Sequence, residues 1–169
     1  RPHMPFKGTI MAILISPMIV PLIITAAGMF FFYSKIGLTH SYLGLILAHT
    51  ALGTPFVVIT VTATLTGFDT NLIRASQSLG ADTMRTFFKV IMPLILPGVI
   101  SGALFAFITS FDEVVVVMFI GSVEQITIPK QMWAGLRQET SPVILCMATC
   151  LVFLSIALLT TVELLRRRS

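Results

Sequence analysis

Four long stretches of the chain are almost wholly apolar, and short polar segments separate them. The stretches cover residues 9–33, 41–68, 90–111 and 140–162. Each is at least as long as the roughly 20 residues that a helix needs to cross about 30 Å of hydrocarbon. The pattern predicts an all-α, polytopic membrane helix bundle that forms a single domain over residues 1–169. The first stretch is longer than the apolar core of a secretory signal, so we expect it to be a span.

The polar segment over residues 69–89 has a helical pattern of its own. Its first half places apolar or small residues at helical spacing, and its second half repeats the pattern: Leu72, Ala75, Ser76 and Leu79, then Met84, Phe87, Phe88 and Ile91. The spacing predicts two short helices that meet at Gly80, where a glycine can take a positive φ. Asp69, Thr70 or Asn71 could cap the first helix, and Asp82 or Thr83 the second.

A segment that only joins two membrane helices needs no such pattern. We therefore expect residues 69–89 to bind a protein outside the bilayer. The same pattern also fits an element that lies among lipid head groups, with aromatic side chains inward and basic ones on phosphates. The residues alone leave these two alternatives open.

Composition and charge agree with a membrane protein. The chain is 56% hydrophobic and 11% charged, whereas soluble domains carry about 25% charged residues. Eight of the eleven Lys and Arg residues lie in the N-terminal segment, in residues 69–89 and in the C-terminal tail. The side richer in Lys and Arg is cytoplasmic, so these three segments are predicted to be cytoplasmic. This topology accounts for the net charge of +4 without nucleic acid as a partner.

Two adjacent carboxylates, Asp112 and Glu113, follow the third apolar stretch. Carboxylates are costly against lipid, so we expect them to face protein, a solute pathway or the outer interface. A cationic solute would be attracted to them, and Thr109 and Ser110 could line the same path as neutral acceptors. The alternative is that the carboxylates end the span and cap a helix or pair with Lys130 or Arg137.

Small residues and one histidine indicate contacts between the helices. Gly98, Gly102 and Ala106 lie on one face of the third stretch, a pattern that permits close helix approach. His49 lies within the second stretch, where we expect a neutral imidazole bonded to a neighbouring helix rather than a proton relay.

The order of residues after Arg74 resembles a known family. Arg74-Ala75-Ser76-x-x-Leu79-Gly80-Ala81 is followed by Phe87, Lys89-Val90, Met92-Pro93, Pro97-Gly98 and Gly102. This order is similar to the cytoplasmic EAA loop, and the helix after it, in permease subunits of type I ABC importers. Pro-Phe-Lys-Gly over residues 5–8, Ser-Phe-Asp-Glu-Val-Val over residues 110–115 and Ile128-Pro129 extend the match. The resemblance covers essentially the whole chain and is greatest to the spermidine/putrescine, PotC-like group.

Two features depart from the family's pattern. The signature Glu is Arg74 here and the second Ala is Ser76, so the charge offered to a partner is reversed at the first position. The chain also has four predicted spans where these permeases usually have six. We therefore expect a fragment or an N-terminally shortened subunit, without the N-terminal spans of the family.

The resemblance implies a partial MetI-like helix bundle in the bacterial inner membrane that acts as a permease subunit and not as an enzyme. It implies a pathway for a small solute, with a polyamine as the expected solute. Alternatives of the same class are an opine-like compound, another organic cation or a ferric complex. A secondary transporter is a further alternative, but beyond the acidic pair the spans offer only His49 for ion coupling.

The resemblance also implies partners and site residues. The expected partners are cytoplasmic ATP-binding subunits, a second permease subunit and a periplasmic solute-binding protein. The sequence has no G-x-x-x-x-G-K-[ST] motif, so ATP must be bound by the partner, and we expect no cofactor, metal or catalytic residue in this chain. Residues 69–89, the coupling loop, are expected to dock on the ATP-binding subunit through Arg74, Ala75, Ser76, Leu79, Gly80, Ala81 and Asp82. The pathway residues are expected to be Thr109, Ser110, Asp112 and Glu113.

Overall fold

A computed structural model of the chain describes residues 6–138 and 142–167. Within these residues the regular elements are helices: α1 (Lys7–Ile19), α2 (Leu22–Ile36), α3 (Tyr42–Thr66), α4 (Asn71–Ser78), α5 (Thr83–Thr86), a π-helical turn (Phe87–Ile91), α6 (Met92–Phe111), α7 (Val115–Ile120), α8 (Ile128–Gln138) and α9 (Pro142–Arg167). Two features predicted from sequence extend beyond the described residues: the start of the fourth span at residue 140 and Pro5 of the N-terminal motif.

The first predicted span consists of two helices, α1 and α2, which meet at an angle of 109°. The break is at Pro21, whose ring removes a backbone donor, and Val20 before it is extended with φ −73° and ψ 134°. A residue that precedes proline is disfavoured in helical geometry, which explains the position of the break. Pro17 lies inside α1 without ending it.

Helices α3 and α6 pack closely because glycines face the contact. A Cβ atom on Gly98 would overlap the Thr64 hydroxyl, and one on Gly102 would lie 2.9 Å from the Cα of Val57. From the other side, a Cβ on Gly53 would lie 3.0 Å from the Cβ of Ala106. The close approach predicted from the spacing of small residues in the third stretch is confirmed, and α3 is the partner helix.

The buried core lies between α2, α3 and the short helix α7. Its buried members are Ala26, Tyr33, Leu45, Ala48, Leu52, Val116, Val117 and Ile120. After α6 ends, the chain turns back and inserts α7 into the bundle, where Val116, Val117 and Ile120 have no exposed surface. The N–H of His40 donates to the carbonyl of Ile120 at 2.8 Å and so ties α7 to the connection between α2 and α3.

Three described helices are long and apolar enough to cross a membrane: Tyr42–Thr66, Thr83–Phe111 and Leu145–Leu164. The bent pair of α1 and α2 adds a fourth if it counts as one span. The helix of the third span begins at Thr83 rather than at residue 90, because the second half of the coupling loop continues directly into it. The number of membrane crossings and the loop topology stay predictions.

Candidate functional site

The first half of the coupling loop is α4, and it ends where the sequence predicts. Gly80 has φ +81°, a conformation that costs glycine little because it has no Cβ. The N–H of Ala81 donates to the carbonyl of Ser76 at 3.1 Å, and the N–H of Gly80 to that of Gln77 at 3.0 Å. These two bonds form a Schellman motif. The predicted helix stop at Gly80 is therefore confirmed.

The two aspartates of the coupling loop both accept hydrogen bonds from backbone groups. Asp82 Oδ1 accepts from the N–H of Arg85 at 2.8 Å and caps α5, as predicted, a bond worth about 1 kcal/mol. Asp69 Oδ1 accepts from the N–H of Asn71 at 2.9 Å at the start of α4. Of the three candidate caps for the first helix, Asp69 supplies the side chain, because Thr70 makes no side-chain cap bond.

One hydrogen bond joins the two halves of the loop across the glycine turn. The hydroxyls of Ser76 in α4 and Thr86 in α5 lie 3.0 Å apart. Thr86 is only 2% exposed, and a buried hydroxyl without a partner is costly, so this bond stabilises the loop. The bond fixes the angle between α4 and α5.

Three of the four residues on the apolar face predicted for α4 are exposed. Leu79 is 88% exposed and Leu72 is also exposed, and Met84 in α5 is 65% exposed. Of the four positions on that face, only Ser76 turns towards the second half, while Ala75 is exposed with the two leucines. The loop thus presents apolar side chains that no described part of the chain covers.

A π-helical turn connects the coupling loop to the membrane helix. The N–H of Met92 donates to the carbonyl of Phe87, five residues earlier. Pro93 follows directly and has no N–H to offer the carbonyl of Lys89, and its ring would crowd that group. The wider turn removes this conflict without breaking the helix, so α5 runs through the π turn into α6.

A cavity of about 980 Å³ lies beside α3 and α6 and is closed on one side by residues 124–129. Most of its walls are apolar. Thr50 and Thr54 also line it, but their hydroxyls donate to carbonyls of their own helix. His49 of α3 and Ser110 of α6 also line the cavity, and their Nδ1 and Oγ lie 2.8 Å apart. The predicted bond from His49 to a neighbouring helix is therefore confirmed.

The four predicted pathway residues do not share one environment. Ser110 lines the cavity, whereas Thr109, Asp112 and Glu113 do not. Asp112 is exposed at the end of α6. Glu113 is only 7% exposed, and its Oε1 accepts from the N–H of Val116 at 2.8 Å. Glu113 thus caps α7, in agreement with the alternative that assigned these carboxylates to a helix end.

The suggested pairing of the acidic residues with Lys130 is not what the structure contains. The Lys130 ammonium donates instead to the carbonyls of Ser122 at 3.0 Å and Gln125 at 3.1 Å. The side chain of Arg137, the other suggested partner, lies outside the described residues.

Glu124 lines the cavity. The sequence analysis did not identify it as a site residue, because its segment has no periodic pattern. Within the described residues, no group of three or more His, Cys, Asp or Glu side chains could hold a metal ion.

Comparison with known proteins decides which family this arrangement represents. The family model described as binding-protein-dependent transport system inner membrane component matches residues 1–169. The chain belongs to this family of inner-membrane transport components. Its fold is also that of a solved permease: a chain of the MetNI methionine ABC transporter in inward-facing conformations superposes with a TM-score of 0.72. That match covers 96% of this chain and 74% of the other at 22% identity, so it supports the fold alone. The expected MetI-like helix bundle is confirmed.

The curated relatives of this family member include transport proteins for polyamines. The spermidine/putrescine transport system permease protein PotC of Haemophilus influenzae is 31% identical over 163 residues, which are 96% of this chain and 63% of that protein. PotC of Escherichia coli K12 is 29% identical over 95% of this chain and 61% of its own length. The putrescine transport system permease protein PotI of the same strain is 28% identical over 81% of this chain and 51% of its own length. The chain thus spans less than two thirds of the length of these relatives.

Proposed function

We propose that this chain forms the membrane part of a permease subunit in an ATP-binding cassette importer. The observation that carries the proposal is the coupling loop: a rigid, exposed hairpin that continues without a break into the helix Thr83–Phe111. A partner bound to α4 would move α6 with it, because the hydrogen bond between Ser76 and Thr86 joins the two halves of the loop.

ATP hydrolysis by the ATP-binding subunits provides the energy for transport. They lie on the cytoplasmic side with the coupling loop and with both ends of the chain, and they bind the ATP, so the chain itself needs no cofactor. A second permease subunit completes the pathway across the membrane, and a periplasmic binding protein delivers the solute. The family's description as a binding-protein-dependent transport system supports this set of partners.

A polyamine is the proposed solute. The names of the relatives PotC and PotI support this choice, and the cavity beside α3 and α6 suits a chain of methylene groups with polar ends. Ser110 lines the cavity. Asp112, two residues later, is exposed at the end of α6. We assign direct contact with the solute in the cavity to Ser110, attraction of the cationic solute to the exposed Asp112, and a supporting role to Glu113 because it holds α7 in place.

The docking role of the coupling loop is tested by replacing Gly80. A valine at φ +81° is strained and should open the turn, so Gly80→Val should lose the ATP-binding subunit during co-purification in detergent. Gly67→Val is the matched control, since Gly67 has φ −83° at the end of α3 and a Cβ there meets no atom closer than 3.9 Å. Equal co-purification of both variants would contradict the docking role.

The solute pathway is tested by polyamine uptake in reconstituted vesicles with the matching binding protein. Asp112→Asn should raise the KM for spermidine several-fold, because an exposed carboxylate no longer attracts the ammonium groups. The double variant Asp112→Asn, Glu113→Gln should take up even less. If the double variant takes up spermidine as the unchanged protein does, neither carboxylate belongs to the pathway.

A further inference from the structure

One carboxylate on the wall of the cavity beside α3 and α6 has no partner within the described residues. Glu124 lines the cavity and is exposed, and its side chain makes no hydrogen bond or ion pair to any residue that the structure describes. Among the described residues that line the cavity, Glu124 is the only acidic or basic side chain besides His49. A solute that enters the cavity can therefore reach an unpaired negative charge.

A structural role in its own loop does not account for Glu124. The residue lies before α8, but the helix is capped by Thr127, whose Oγ1 accepts from the N–H of Lys130 at 3.4 Å. The Lys130 ammonium is engaged elsewhere, because it donates to the carbonyls of Ser122 at 3.0 Å and Gln125 at 3.1 Å. Capping and charge pairing within this loop thus leave the Glu124 carboxylate free for a ligand.

The backbone on both sides of Glu124 is held in a closed turn. The N–H of Ser122 donates to Oε1 of Gln125 at 2.9 Å, and the N–H of Gln125 donates to the carbonyl of Ser122 at 3.3 Å. Gln125 is only 7% exposed, and the two carbonyls that Lys130 binds belong to these same residues. A carboxylate on a backbone that is already ordered costs less to immobilise when a ligand binds.

The other walls of the cavity suit the hydrocarbon part of an organic cation. Phe107 and Phe111 both line it, and their rings are stacked with centroids 5.7 Å apart; aromatic faces attract ammonium groups. The hydroxyls of Thr50 and Thr54 donate to carbonyls of their own helix, so these protons are not available to an anionic solute. The charge and the walls together favour an alkylammonium compound over an anion.

The cavity lies at the end of the bundle opposite the coupling loop. Tyr42 begins α3 and Phe111 ends α6, and both line the cavity, whereas the coupling loop joins the other ends of these two helices. With the coupling loop on the cytoplasmic side, as proposed, the cavity is at the outer end, where a binding protein would release its solute. Glu124 then lies where the solute enters.

We infer that Glu124 binds an ammonium group of the solute at the outer end of the cavity and so selects organic cations. This inference rests on the proposed function and names a solute-binding residue in addition to Ser110 and Asp112. Lys130 and Gln125 act as positioning residues, because their hydrogen bonds hold the turn that carries the carboxylate.

The test measures binding of labelled spermidine to the purified membrane complex, with the binding protein left out because it would bind the solute itself. Glu124→Gln should raise the dissociation constant about two- to fivefold, the range for an ion pair that water reaches. Glu124→Asp keeps the charge and should raise it less. Val123→Gln is the matched control: Val123 is 89% exposed in the same turn and does not line the cavity, so the dissociation constant should stay unchanged.

Moving the charge distinguishes direct contact from general attraction. Val123→Glu combined with Glu124→Gln returns a carboxylate one residue earlier, and it should not restore the affinity. Restored affinity would overturn the inference, because the charge would then act at a distance. Equal dissociation constants in Glu124→Gln and the unchanged complex, or no saturable binding to the unchanged complex, would also overturn it.

Uptake by the unchanged transporter with its binding protein separates this inference from the proposed function. If spermidine is imported while Glu124→Gln binds it as the unchanged complex does, only the role of Glu124 is wrong. If the unchanged transporter imports no spermidine, the proposed solute is wrong and the inference fails with it.

Discussion

The contact between α3 and α6 gives a stability prediction that uses the same substitution at two glycines. At Gly102, a new Cβ would overlap the Thr60 hydroxyl and lie 2.9 Å from the Cα of Val57. Ordinary contacts begin near 3.4 Å, and a backbone atom cannot turn aside, so the two helices must move apart by roughly half an ångström. Overpacking of this kind costs about 1–3 kcal/mol. The gain from replacing a helical glycine by alanine, about 0.5–1 kcal/mol, offsets part of it.

Gly28 in α2 provides the matched control, since a Cβ there meets no atom within 4 Å. We expect Gly28→Ala to be neutral or to stabilise by up to about 1 kcal/mol. Gly102→Ala should destabilise by up to roughly 2.5 kcal/mol on balance, and should be less stable than Gly28→Ala by about 1–3 kcal/mol. The free energy of unfolding of each purified protein, from denaturant titration in mixed micelles, checks the difference. If Gly102→Ala proves as stable as Gly28→Ala, the close packing of α3 on α6 is wrong.

Two further predictions concern single hydrogen bonds. Ser76→Ala removes the bond to Thr86 and should lower the affinity of the permease for its ATP-binding subunit by up to about fivefold, which corresponds to the roughly 1 kcal/mol of one hydrogen bond. The control Ser78→Ala removes only a bond within α4; an equal loss in both variants would exclude a special role for Ser76. Glu113→Ala removes the cap of α7 and should lower the free energy of unfolding by about 1 kcal/mol, which a thermal melt shows as a lower Tm. Glu113→Gln keeps an acceptor oxygen and should lower the Tm less than Glu113→Ala does. A Tm that is lower in Glu113→Gln than in Glu113→Ala would contradict the capping role.

Several features of the coupling loop and of α6 could be predicted from the sequence because each depends on the type and spacing of a few residues. The stop at Gly80, the cap at Asp82 and the close approach at Gly102 follow from spacing and residue type alone. The bond between Ser76 and Thr86 could not be predicted in this way. It joins residues ten apart, and it depends on the angle at which the glycine turn sets the two helices.

The environments of the acidic pair also depend on the tertiary structure. From the sequence, Asp112 and Glu113 have the same expected roles, because they are adjacent and both carry a carboxylate. The structure separates them, since the chain turns back after α6 and buries one of them at the start of α7. The break between α1 and α2 lies at Pro21, but its angle of 109° depends on how both helices pack.

The most direct test of the central claim uses a photo-reactive amino acid at position 79 in the complete transporter in native membranes. Leu79 is 88% exposed at the tip of the coupling loop, so it should be covered by any partner that binds there. Illumination should crosslink position 79 to the cytoplasmic ATP-binding subunit, and the yield should change when ATP is added. Crosslinks to lipid, or to a protein on the outer side of the membrane, would contradict the claim that this loop docks on the ATP-binding subunit.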